Sequence, residues 1–96
     1  MPALANIAKL TAQPGKSDSL GSALNGLVAP TKAEDGCFAY EVHRSLQDGN
    51  VWMVYERWRS QADADAHLTQ PHVQKFIAVL GDLVAGSIDV QSYAHA

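Results

Sequence analysis

Four residues stand out as able to do chemistry. Glu56 and Trp58 lie two apart, and His67 and His72 lie five apart. A carboxylate or an imidazole lining an apolar pocket is a proton acceptor. An indole beside it offers a flat wall for a planar substrate. Each residue also has a plainer reading. Trp58 would be core, with Glu56 paired to an arginine or a backbone group. His67 would sit at a helix C-terminus, where the dipole favours it. His72 would be a surface residue in a first turn. His67, His72 and Glu56 are also metal-ligand types, but their spacing matches no metal signature and no metal is expected. Phe76 reads first as core and second as a substrate contact. Asn6 reads as a strand-edge residue or as a polar group in a pocket.

These side chains need elements to position them. Residues 3–12 form a candidate strand ending at the Pro14-Gly15 turn. From Lys16 to Glu34, the residues Leu20, Ala23, Leu24, Leu27, Val28 and Thr31 recur on one helical face. Ser17 or Asp18 is a candidate cap, Pro30 should kink the last turns, and Asp35-Gly36 stops the helix. Strands follow at 37–45 and 51–59, flanking LQDGN. The second of these is apolar on both faces, with Trp52, Val54 and Trp58 against Val51, Met53 and Tyr55. Ser60 should cap a helix to about Thr69, and Pro71 suits the first position of its continuation. That continuation carries Val73, Phe76, Ile77, Leu80, Leu83 and Val84 at helical spacing before Gly86. Residues 87–93 alternate as a last strand.

The order β-α-β-β-α-β is that of an α+β ferredoxin-like fold. It has an antiparallel sheet with its helices on one face, here as a single domain over residues 1–96. The helices leave the other sheet face bare, and Met53 and Tyr55 make that face apolar. A second copy of the same face is the simplest cover, so a homodimer through the sheet is expected.

Register decides which side chains reach the helix-covered face. Pairing Ser45 with Val51 sets Phe38, Tyr40 and Val42 beside Trp58, Glu56 and Val54. A two-residue Asp48-Gly49 turn would instead bring Glu41 and His43 there. The first is preferred because it joins apolar residues to apolar residues, so Tyr40 rather than His43 is placed at the candidate site.

Composition narrows the function classes. Of 96 residues, 47% are hydrophobic and 18% charged, with a net charge of -3. No basic run offers a nucleic-acid footprint, and no segment has the roughly 18 consecutive apolar residues of a membrane span. The first ten residues lack a signal-peptide core. The single cysteine, Cys37, permits no internal disulfide and fits a cytoplasmic setting.

Three pieces of sequence, taken in order, carry a likeness. They are Glu34-Asp35-Gly36, then Glu56-Arg57-Trp58, then Ala66-His67 followed by Pro71-His72. Together with the Pro14-Gly15 turn they resemble the antibiotic biosynthesis monooxygenase family, including its quinol-monooxygenase-like members. The resemblance implies a dimeric α+β barrel with a pocket between helices and sheet in each subunit. Some members of that family oxygenate quinols or polyphenols without metal or flavin, some bind haem, and some isomerise small metabolites. The expectation is a cofactor-free monooxygenase using dioxygen on a quinol-like aromatic. His67 or Glu56 would be the base, and Tyr40, Trp58, His72, Phe76 and Asn6 would contact substrate. The alternatives are an isomerase of a small ketone or sugar-like metabolite, and a non-catalytic small-molecule binder.

Overall fold

A computed structural model describes residues 3–96; Met1 and Pro2, part of the single unit expected, lie outside the described residues. The elements are β1 (Leu4–Thr11), α1 (Ser17–Asn25), α2 (Val28–Lys32), β2 (Cys37–Arg44), β3 (Val51–Trp58), α3 (Gln61–His67), α4 (Pro71–Leu83) and β4 (Asp89–Ala94). The four strands form one antiparallel sheet in the order β2-β3-β1-β4. This is the expected ferredoxin-like arrangement. No helix among the described residues is long and apolar enough to cross a membrane.

The first crossover differs from the single kinked helix expected. It is split by a turn at Gly26-Leu27 into α1 and α2. The physical cause is Pro30, which lacks the N–H that would bond the carbonyl of Gly26 four residues earlier. Neither expected cap operates, since Lys16 occupies the cap position and no side chain bonds there. The Ser17 hydroxyl instead bonds the Gly49 carbonyl and accepts from Trp52 Nε1 at 3.0 Å and an Arg44 guanidinium nitrogen at 3.0 Å. It ties the start of α1 to the hairpin.

The hairpin has the longer of the two loops weighed, with the Ser45 N–H bonding the Val51 carbonyl at 2.8 Å. Tyr40 therefore faces Glu56, and Val42 faces Val54. The third expected neighbour is wrong. The register shifts between Cys37 and Ala39, which puts Cys37 opposite Trp58 and leaves Phe38 in the irregularity. Phe38 is 55% exposed, with the Arg57 guanidinium over its ring. A bulge inserts one residue and re-aims the side chains around it.

The core lies between the helices and one sheet face. It joins Leu10, Leu20, Leu24, Leu27, Tyr40, Trp52 and Val54. Gly21 is required there, because a Cβ at that position would run into the Trp52 ring. Thr31 is fully buried, and its hydroxyl has no partner among the described residues. An unpaired buried hydroxyl costs about 1–3 kcal/mol. Thr31→Val is therefore expected to raise the melting temperature by several degrees, about 4–8 °C per kcal/mol for a domain of this size. A scan showing no gain would mean that the hydroxyl is satisfied in solution.

Ser60 caps α3 as expected, accepting from the Asp63 N–H at 3.2 Å, and Pro71 opens α4. Helix α4 ends at Leu83, and Val84 bridges Ala12 in extended conformation. The β4 edge is exposed along its whole length.

Candidate functional site

The site begins with a lock between two chain segments. Gly36 has φ +79°, a conformation open to glycine at little cost. Its carbonyl accepts the Arg59 N–H at 2.7 Å, and a Cβ on it would collide with the Asp63 carboxylate. Asp63 in turn accepts from Arg59 Nε at 2.8 Å and from Ser60 Oγ at 2.9 Å. These hydrogen bonds, Arg59 first, hold the Asp63 carboxyl below the usual carboxylate range. The exit of α2 is thereby fastened to the start of α3.

That fastening brings Glu34, just beyond α2, against His67 at the end of α3. Glu34 Oε2 lies 2.7 Å from His67 Nδ1 and 2.8 Å from His72 Nε2. The side chains of Glu34 and His67 are 9% and 7% exposed, while His72 reaches 20%. A carboxylate only accepts, so both imidazoles donate to it. His67 is then protonated on Nδ1, which leaves Nε2 as an acceptor. That nitrogen has no hydrogen bond among the described residues and is not sealed off, and the residue lines the cavity next to it.

Aromatic rings fix the orientation of the imidazole. The His67 ring centroid is 4.9 Å from that of Trp58 and 5.7 Å from that of Tyr40. Trp58 has no exposed surface. Its Nε1 donates to Glu56 Oε1 at 2.7 Å. It is thus a buried support and not the open aromatic wall expected. His72 is also displaced from its expected role, because it bonds Glu34 and is not among the cavity-lining residues. The carboxylate that meets both histidines is Glu34, not Glu56. In the sequence, Glu34 stands only as the end of a helical stretch and the first residue of Glu34-Asp35-Gly36. A buried carboxylate with two histidine partners 33 and 38 residues away leaves no local spacing signal.

The cavity is about 420 Å³ and mostly apolar, with Leu24, Val54, Phe76, Leu80 and Ile88 among its walls. Phe76 and Asn6 both line it. One rung of the sheet breaks the apolar surface. Ser92, Asn6, Glu56 and Tyr40 face one another across β4, β1, β3 and β2. The adjacent rung is Val90, Ala8, Val54 and Val42. Ser92 Oγ donates to Asn6 Oδ1 at 2.7 Å, which leaves the Asn6 amide N–H groups free. The Tyr40 hydroxyl makes no hydrogen bond among the described residues yet is not sealed off. Burial, then the Glu56 and Glu34 charges, push the Tyr40 pKa far up, so the phenol stays a donor. Cys37 is pushed up for the same reasons, burial first, and stays a thiol.

Residues 3–79 match the antibiotic biosynthesis monooxygenase family. A Mycobacterium tuberculosis relative named "Putative monooxygenase Rv0793" is 33% identical over 87 residues, covering 91% of this chain and 85% of the relative. "Putative monooxygenase YcnE" of Bacillus subtilis is 26% identical over 83 residues, covering 86% of this chain and 87% of the relative. Among solved structures, PA3566 from Pseudomonas aeruginosa superposes with a TM-score of 0.94 at 29% identity, covering 100% of this chain and 96% of that one.

Proposed function

Because the chain belongs to the antibiotic biosynthesis monooxygenase family, we propose that it is a cofactor-independent monooxygenase acting on a quinol-like or polyphenolic aromatic. The observation that carries this reading is the buried Glu34–His67 pair. His67 lines an apolar cavity whose sheet wall carries a single polar rung, and its second imidazole nitrogen is free and not sealed off. Such a site holds a flat apolar ring with its oxygens at one end.

His67 Nε2 takes the proton of a substrate phenol, and Glu34 stabilises the imidazolium formed. The phenolate gives one electron to dioxygen. The resulting superoxide and phenoxyl radicals combine, forming a carbon–oxygen bond at a ring carbon that carries hydrogen. His67 returns its proton to the peroxide. Loss of the ring hydrogen as a proton and cleavage of the oxygen–oxygen bond leave a ring carbonyl and release water. One dioxygen is consumed, with one oxygen atom in the product and one in water. Tyr40 and Asn6 donate to substrate oxygens, Phe76 packs on the ring, and Glu56 is pinned by Trp58 as an acceptor for a second hydroxyl. Exclusion of water and orientation of the ring are the protein's other contributions.

The test is dissolved-oxygen uptake by metal-stripped protein with a panel of reduced quinols, against an enzyme-free autoxidation control. Uptake well above control, with one labelled oxygen atom entering product, is expected. No uptake with any quinol rejects the reading and returns weight to the isomerase and binder alternatives.

The second part of the proposal is a homodimer through the bare sheet face. Val51, Met53 and Tyr55 are only half-buried there, and Tyr93 is 53% exposed. Light scattering should give twice the 10.3 kDa chain mass, and Tyr55→Lys should shift the equilibrium toward monomer. A monomeric wild type at micromolar concentration would refute it.

A further inference from the structure

We propose that Glu34, His67 and His72 form a binding site for a divalent transition cation of the zinc type, reached from the surface beside His72. Two imidazoles and one carboxylate are the donor set of open zinc sites. Their nearest donor atoms lie within 4.8 Å of one another. Both Glu34 contacts, 2.7 and 2.8 Å, are hydrogen bonds. Donors about 2.0–2.2 Å from one zinc ion stand somewhat over 3 Å apart. Replacing two bridging protons by a cation therefore asks each Glu34 contact to lengthen by about half an ångström and the two imidazole nitrogens, at most 4.8 Å apart, to draw together by up to about 1.5 Å. His72 is free to make these shifts, being the most exposed of the three and in the first turn of α4.

Charge points the same way. Among the described residues, Glu34 has no lysine or arginine partner, only the two imidazoles. Its field reaches neighbouring groups, disfavouring ionisation of both Cys37 and Tyr40. A buried carboxylate compensated only by two imidazole N–H groups gains from a dication. Ligation needs those nitrogens deprotonated, so the ion displaces the protons shared with Glu34. The cavity does not have to open, because Glu34 and His72 lie outside its lining.

Occupancy also changes the cavity. An ion on His67 Nδ1 moves the ring proton to Nε2, so the nitrogen facing the cavity becomes a donor instead of an acceptor. The same ion would then switch off a base at that position. This consequence rests on the function proposed above; the binding site itself does not.

The test reads binding without turnover. The metal-stripped 96-residue protein is titrated with Zn²⁺ by calorimetry, and with Co²⁺ by visible absorption, which reports low-symmetry coordination. One ion per chain is expected. Affinity should fall at least tenfold in Glu34→Gln and in His72→Ala, and stay unchanged in His43→Ala, which removes the exposed His43–Glu41 pair. Circular dichroism checks the fold of each variant. His72→Ala keeps the test decisive if the Glu34 variant unfolds, because its side chain is partly exposed. Zn²⁺ should also raise the melting temperature of the wild type but not of His72→Ala. Absence of stoichiometric binding to the wild type, or equal affinity in His72→Ala and wild type, overturns the site. Binding in a protein that consumes no oxygen would leave the site standing and the monooxygenase reading rejected.

Discussion

His67→Ala is expected to lower quinol-dependent oxygen uptake by about 10²–10⁴-fold, the usual range for a positioned general base. The loss should fall on kcat more than on KM, because the apolar walls and the polar rung stay in place. Glu34→Gln separates the base from the residue that positions it. A glutamine offers an N–H where the carboxylate accepted, so His67 loses its fixed tautomer. The expected result is a large fall in kcat with KM near wild type, and partial recovery in Glu34→Asp. A His67→Ala protein at wild-type rate would remove His67 from the chemistry. Glu56→Gln would then be the next variant, since Glu56 is the carboxylate on the sheet wall of the cavity.

Trp58→Ala should destabilise the protein by about 3–5 kcal/mol, the range for truncating a fully buried large aromatic. The indole has no exposed surface, packs on His67 and donates to Glu56. Its loss opens a void, frees the imidazole and unpins the carboxylate. Trp58→Phe keeps part of the packing without the N–H donor, and should cost less stability while still loosening Glu56. Urea unfolding at fixed protein concentration measures both. Were Trp58 a cavity wall stacked on substrate, alanine there would cost binding and spare stability. Unchanged unfolding with weakened substrate binding would therefore restore that role and contradict the burial seen here.

Element order and the apolar faces were legible in the chain itself. Alternation in β3 separates Trp52, Val54 and Trp58 from Val51, Met53 and Tyr55, and these two sets face opposite sides of the sheet. Ser60 and Pro71 mark helix starts by local chemistry, a side-chain cap and a residue with no N–H to lose. Within β3, positions 56 and 58 share one face by parity, but only the pairing of the four strands brings residues 6, 40, 56 and 92 into one rung.

Other features depended on contacts between distant segments. Pro30 announces a disturbance, but its local chemistry does not say whether the helix kinks or breaks. The irregularity at Phe38 carries no strong local signal, and it moved that ring to the outer face. In the sequence, Trp58 fits core or wall with equal physical sense, since one face of a strand supplies both. The pairing of Glu34 with His67 and His72 belongs wholly to tertiary structure. Periodicity reports which face a residue takes within its own element. It says nothing of which two element ends meet, and here the Gly36–Arg59–Asp63 lock brings them together.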